Sequence, residues 1–93
     1  MRLKEAHSQS FAEVLSPAER ERAAAFHADV HRNKFETARG VLRILLGRYL
    51  GRDARGLEFE YGSHGKPFIQ SETGLRFNIA HSGDMVLYAF SNL

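Results

Sequence analysis

The sequence predicts an α+β fold: two helices packed on a small antiparallel sheet of three or four strands. Three observations carry this expectation. Apolar residues recur at helical spacing up to residue 50 and then at a period of two from residue 57. A capping signature opens the first periodic stretch. Glycine-rich turn clusters separate the short apolar runs of the second half.

Residues 1–13 are weakly patterned and read as a lead-in, leaving 14–93 as a single subdomain. Ser16-Pro17-Ala18-Glu19 then starts a helix. Serine can cap, proline suits the first helical position, and a glutamate three residues after the serine closes a capping box. That helix runs through Arg20-Glu21-Arg22 to about Phe26. A second spans about Val30 to Leu50, with Phe35, Ala38, Leu42, Leu45 and Tyr49 on one stripe and Val41 and Leu46 widening it. Gly51 stands where a left-handed cap ends a helix.

Beyond it, Leu57-Glu58-Phe59-Glu60-Tyr61 alternates as a half-buried strand does. Gly62-Ser63-His64-Gly65 turns the chain into a shorter strand, Lys66-Pro67-Phe68-Ile69, and Ser71-Glu72-Thr73-Gly74 turns it again. Leu75 to His81 alternates with Phe77 and Ile79 on one face. Ser82-Gly83-Asp84 breaks the run, and Met85 to Phe90 is the last strand.

Composition narrows the class of function. In 93 residues, 43% hydrophobic and 11% aromatic, there is room for one folded domain rather than a disordered chain. The formal net charge is +2, a small basic excess that suits an anionic partner without naming it. Without cysteine there is neither a disulfide framework nor a thiolate metal site. Val41 to Leu46, the richest apolar stretch, is interrupted by Arg43, and the N-terminus lacks the apolar core of a signal peptide. These features point to a soluble cytoplasmic protein with no membrane partner.

Individual residues carry limited chemistry. His27 and His31 have the four-residue spacing of a helical metal pair, but no third ligand is evident. Gly62-Ser63-His64-Gly65-Lys66 falls short of a Walker loop, and Pro67 stands where that loop has Ser or Thr. Gly-x-x-Gly also occurs in KH domains, which keeps a basic nucleic-acid-binding domain among the alternatives, although that loop joins helices. His81-Ser82 has no nucleophile elbow around it. Arg20, Arg22, Lys34, Arg39 and Arg43 are each most simply a solvated helix face. Together with Lys66 and His81 they could instead hold a multiply charged phosphate, between the second helix and the Lys66 and His81 turns.

The order of four segments goes further. Leu15-Ser16-Pro17-x-Glu19-Arg20, Ala38-Arg39-Gly40-Val41-Leu42-Arg43, Gly65-Lys66-Pro67 and Phe77-Asn78-Ile79-Ala80-His81-Ser82-Gly83 together resemble the N-terminal half of the Sfp-type 4'-phosphopantetheinyl transferases. The resemblance covers about residues 14–90. It implies an enzyme superfamily that moves phosphopantetheine from coenzyme A to a serine of an acyl or peptidyl carrier protein. Its members are pseudo-dimers of two α+β halves with coenzyme A in the cleft between them.

Residue by residue, the resemblance implies that Gly65, Lys66 and Pro67 line the adenine pocket. His81, with Ser82, meets a coenzyme A phosphate, preferably the 3'-phosphate, and Arg22, Lys34 and Arg39 are phosphate-binding cations. It implies no catalytic residue and no metal ligand in these 93 residues. Ala80 replaces the first serine of the family's Asn-x-Ser-His-Ser. The family's Gly-x-Asp segment and its Trp-x-x-Lys-Glu region, which hold magnesium in the complete enzyme, have no counterpart. The chain alone is therefore expected to bind coenzyme A but to be inactive. It is also expected to form a homodimer or a complex with a C-terminal half through groups such as Met85, Leu87 and Phe90. A catalytically inactive coenzyme A or nucleotide-binding module is the other alternative.

Overall fold

Ser16 begins the first helix in the manner its neighbours predict. In the computed structural model, which describes residues 11–69 and 74–92, its hydroxyl accepts from the Glu19 backbone N–H at 3.2 Å. Its own backbone N–H donates to Glu19 Oε1 at 3.0 Å. Helix α1 (Pro17–Ala24) is capped reciprocally in this way. It ends two residues before the expected Phe26. Helix α2 covers Asp29–Leu50 and closes on Gly51, whose φ of 66° is the left-handed value a glycine adopts without strain. The expected lead-in lies largely outside the described residues. So do residues 71–73 of the expected Ser71–Gly74 turn.

The chain divides into two compact units, one ending at Leu57 and one beginning at Glu58. In the first, Ala38, Leu42 and Leu46 of α2 are buried, as are Leu15, Ala23 and Leu57. Ala38, Leu42 and Leu46 belong to the stripe read from the sequence, whereas Tyr49, expected on it, is 63% exposed. What the stripe did not reveal is a buried polar cluster within it. The Glu19 carboxylate accepts from Arg43 Nε at 2.6 Å and from Arg39 Nη1 at 3.1 Å. Arg43, only 1% exposed, also donates to the carbonyls of Ala54 and Leu57 at 2.9 and 2.7 Å. Arg39 and Arg43 are thus buried, and the solvated-face expectation is corrected for both. Each guanidinium shares a turn of α2 with the apolar stripe, so folding that stripe inward takes the charges with it.

Burial pushes the Glu19 carboxyl toward protonation. Hydrogen bonds from Arg43 and the Ser16 backbone, with the charges of Arg43 and Arg39, outweigh it and hold the group below its ordinary range. Gly40 has a different task. A Cβ there would lie 2.5 Å from Phe11 Cβ and 2.6 Å from the Phe11 carbonyl oxygen, so α2 and the Phe11 backbone approach at a distance only glycine permits.

In the second unit, strand β1 (Glu60–Tyr61) pairs antiparallel with β2 (Pro67–Phe68), and β3 (Leu75–Ser82) with β4 (Met85–Asn92). The expected single sheet is therefore two two-stranded ladders among the described residues. The first expected strand is shortened to two residues, partly because the Leu57 carbonyl is taken by Arg43 and Leu57 is buried in the first unit. In the longer ladder, Phe77 faces Phe90, Ile79 faces Tyr88, and His81 faces Val86. Phe59 meets Phe77 edge-on with centroids 6.0 Å apart, and Phe77 meets Phe90 at 6.5 Å. With Val86 fully buried, these rings form the unit's apolar face. Gly83, at φ 58°, and Asp84 link the strands. Asp84 has a negative φ, which is the pattern of a type II′ turn.

Two stability measurements check this account. Glu19→Gln leaves two buried guanidinium groups without their carboxylate and is expected to lower the unfolding free energy in urea by about 3 kcal/mol or more. Because the folded carboxyl titrates below its ordinary value of 4.5, its contribution is complete above that pH. It disappears as pH falls through the lower folded value. That acid loss should be flattened in the Glu19→Gln protein. Gly40→Ala would gain about 1 kcal/mol if helix propensity decided, but the clash with Phe11 should reverse the sign and cost about 1–3 kcal/mol. A raised melting temperature for Gly40→Ala would refute the close approach.

Candidate functional site

The turn between β1 and β2 is built by its glycines. Gly65 N–H donates to the Gly62 carbonyl at 3.0 Å and Gly62 N–H to the Lys66 carbonyl at 3.0 Å, closing a short loop. Gly65 has a φ of 74°, a left-handed value that explains the glycine at this position. The loop delivers Lys66 to a defined place: its Nζ donates to Asn78 Oδ1 on β3. Two segments twelve residues apart are thereby joined by side chains.

Beside this contact lies a cleft of about 610 Å3, lined by Gly62, Lys66, Pro67, Phe68, Ile69, Gly74, Leu75, Arg76 and Phe77. Its size is in the range of small-molecule sites, and so is its make-up of a mostly apolar wall with a few polar groups. Lys66 and Pro67, both singled out in the sequence, form part of the wall. Arg76 supplies a second cation that was not singled out. Arginine at one position of an alternating strand gives no signal by itself, and only the closing of Gly62–Ile69 against residues 74–77 marks it.

The pleat sorts the remaining candidates. His81 falls on the Phe77 and Ile79 face of β3, and Ser82 on the Asn78 face. Both are exposed near the Gly83 turn. No hydrogen bond or ion pair joins His81 to Lys66 among the described residues.

The cations Arg22, Lys34 and Arg39 belong to the first unit. Arg22 and Arg39 hold their guanidinium carbons 4.9 and 5.3 Å from the Phe35 ring centroid, with the Phe26 ring 5.7 Å away. One aromatic ring thus gathers two of the three expected cations. Arg22 is exposed, Lys34 half-buried, and Arg39 is engaged with Glu19 as well.

Two weaker patterns resolve simply. His27 lies in the bend before α2 and His31 within the helix, so the pair does not share a helical face. The Gly62–Gly65 loop joins strands, unlike the helix-joining loop of a KH domain. Among the described residues no three His, Cys, Asp or Glu side chains converge to hold a metal ion.

A family profile described as 4'-phosphopantetheinyl transferase, N-terminal, matches residues 4–92. The chain belongs to this family. The 4'-phosphopantetheinyl transferase HetI of Nostoc sp. is 41% identical over 88 residues, which span 91% of this chain and 37% of that protein. A putative 4'-phosphopantetheinyl transferase of Synechocystis sp. is 36% identical over 84% of this chain and 32% of its own length. The 4'-phosphopantetheinyl transferase Sfp of Bacillus subtilis is 29% identical over 97% of this chain and 40% of its own length. The chain thus spans two fifths or less of these relatives. Its α+β architecture agrees with an N-terminal phosphopantetheinyl transferase domain. No helix among the described residues is long and apolar enough to cross a membrane.

Proposed function

We propose that this chain is the coenzyme A-holding part of a cytoplasmic enzyme that transfers 4'-phosphopantetheine from coenzyme A to a serine of an acyl or peptidyl carrier protein. The observation that carries the reading is the cleft beside the Lys66–Asn78 contact, with Lys66 and Pro67 in its wall. Adenine is a flat, weakly polar ring system, and a mostly apolar cleft edged by cations favours it over a sugar or a peptide. Gly65 keeps the backbone in the turn that presents Lys66 and Pro67.

His81 and Ser82 are the proposed phosphate partners at the end of β3, the histidine through a ring N–H and the serine through its hydroxyl. Arg22, Lys34 and Arg39 are the proposed cations of the first unit. Arg39 keeps its carboxylate partner in this role, so Arg22 is the more available donor. Magnesium in the complete enzyme would neutralise the pyrophosphate, and its ligands are proposed to lie outside this chain. The chain by itself is then a binding unit without transferase activity. Leu87, 58% exposed on the open face of the β3–β4 ladder, supports a covering partner, either a C-terminal half or a second copy.

Calorimetry with coenzyme A tests the binding claim. Lys66→Ala and His81→Ala should each weaken binding by about tenfold, the loss expected of one charge-assisted contact. No heat of binding to the unsubstituted chain would refute the reading. With magnesium and an apo-carrier protein, the chain alone should transfer nothing, and adding the C-terminal part should restore transfer. Binding without restored transfer would mark an inactive coenzyme A module instead. Sedimentation equilibrium should show association that rises with concentration, and a monomer at all concentrations would exclude the homodimer.

A further inference from the structure

Two cations of the helical unit meet the same aromatic ring, and they are spent differently. Arg39, only 8% exposed, donates from Nη1 to Glu19 Oε2 at 3.1 Å, and its guanidinium carbon lies 5.3 Å from the Phe35 centroid. Arg22, in the last turn of α1, holds its guanidinium carbon over that ring at 4.9 Å. It is exposed, and its guanidinium has no hydrogen-bond or ion-pair partner among the described residues. Phe35 is the group that locates it.

The kind of contact decides what Arg22 can do. A ring attracts a guanidinium through its π face and does not neutralise the charge. A carboxylate takes the N–H fork, as Glu19 does for part of Arg39. The ring-bound cation therefore keeps its fork open to an anion while its position is already restricted. An unrestrained arginine loses much of its rotamer freedom on meeting a ligand, and a ring that has already ordered it removes part of that penalty from binding. Phe35 is itself held: it is half-buried on α2, four residues before Arg39, with the Phe26 ring packed at 5.7 Å and tilted by 41°.

We infer that Phe35 is a positioning residue for coenzyme A binding, its ring holding the Arg22 guanidinium in place with the fork turned to use on a phosphate of the ligand. The inference rests on the coenzyme A reading above, in which Arg22 is a phosphate cation, and adds the residue through which Arg22 is prepared. Phe35 touches no ligand in this role.

The test is a double-substitution cycle read by calorimetry with coenzyme A, using the unsubstituted chain, Arg22→Gln, Phe35→Leu and the pair combined. Phe35→Leu keeps an apolar side chain but removes the ring, and should weaken binding by about threefold to fivefold. In the Arg22→Gln background the same change should alter binding by less than about 1.5-fold, because the cation it holds is gone. Phe35→Tyr keeps the ring face and should bind within about 1.5-fold of the unsubstituted chain. Phe26→Leu removes the neighbouring ring but not the one beneath Arg22. It should lower the melting temperature and leave the affinity unchanged, which separates lost packing from lost positioning. Circular dichroism checks the fold of each variant, and Phe35→Met takes the place of Phe35→Leu should the latter not fold. Equal weakening by Phe35→Leu with and without Arg22 would mean that the ring acts on its own, and would overturn the inference, as would no change in either background. If the unsubstituted chain binds no coenzyme A, the coenzyme A reading itself fails. If it binds and Arg22→Gln binds equally well, only the role of Arg22, and with it that of Phe35, is defeated.

Discussion

A single buried carboxylate organises the helical unit. Glu19 caps α1 through the Ser16 backbone, and the same two oxygens receive Arg39 and Arg43 from α2. Arg43 then reaches past it to the carbonyls of Ala54 and Leu57, which close the chain after the helix. Three consecutive pieces of backbone are thereby tied to one side chain. Desolvating these charges costs several kcal/mol per ion, and that cost is offset only when every lone pair and proton is used. Among the described residues every buried side-chain nitrogen and oxygen has at least one partner. The consequence is directional: the cluster enforces one relative placement of α1, α2 and the following turn, because any other leaves a charge buried alone.

The strand-rich unit is organised by turns rather than by charge. Glycines at positive φ stand at 65, 74 and 83, each where the chain reverses or enters a strand. Two-residue strands such as β1 and β2 have little stability of their own. What holds Lys66 is the combination of the Gly62–Lys66 backbone bonds and its side-chain bond to Asn78. A cleft wall made this way is local and compact, suited to receiving a ligand at its edge. The aromatic contacts of Phe59, Phe77 and Phe90 supply the packing that the short strands lack, and Phe77 lines the cleft as well.

Lys66 and Pro67 of the cleft were legible because they belong to a short segment with strong local chemistry. Gly65-Lys66-Pro67 and the His81-Ser82-Gly83 end of β3 announce themselves by turn residues next to charges. Arg76 does not, since a cation on the open face of a strand is ordinary; it acquires meaning only from what folds against it. Arg43 is the converse case. Its charge suggested solvent, but its position on the apolar stripe decided for burial once a carboxylate was available. Arg39 combines both kinds of information, lying over Phe35 and against Glu19 at once.

By itself the sequence determined the α+β class, the Ser16 cap, the span of α2 to within a residue, the two long strands and, through four ordered segments, the family. All of these depend on local propensity, periodicity or short spacing, which a chain carries without folding. The tertiary structure decided the pairing of Glu19 with two arginines, the close approach of Gly40 to Phe11, the split into two ladders and the cleft that unites Lys66 with Arg76. Each of these depends on which residues distant in sequence come to share a volume. That is set by the balance of burial and charge satisfaction over a whole unit, and no window of sequence contains it.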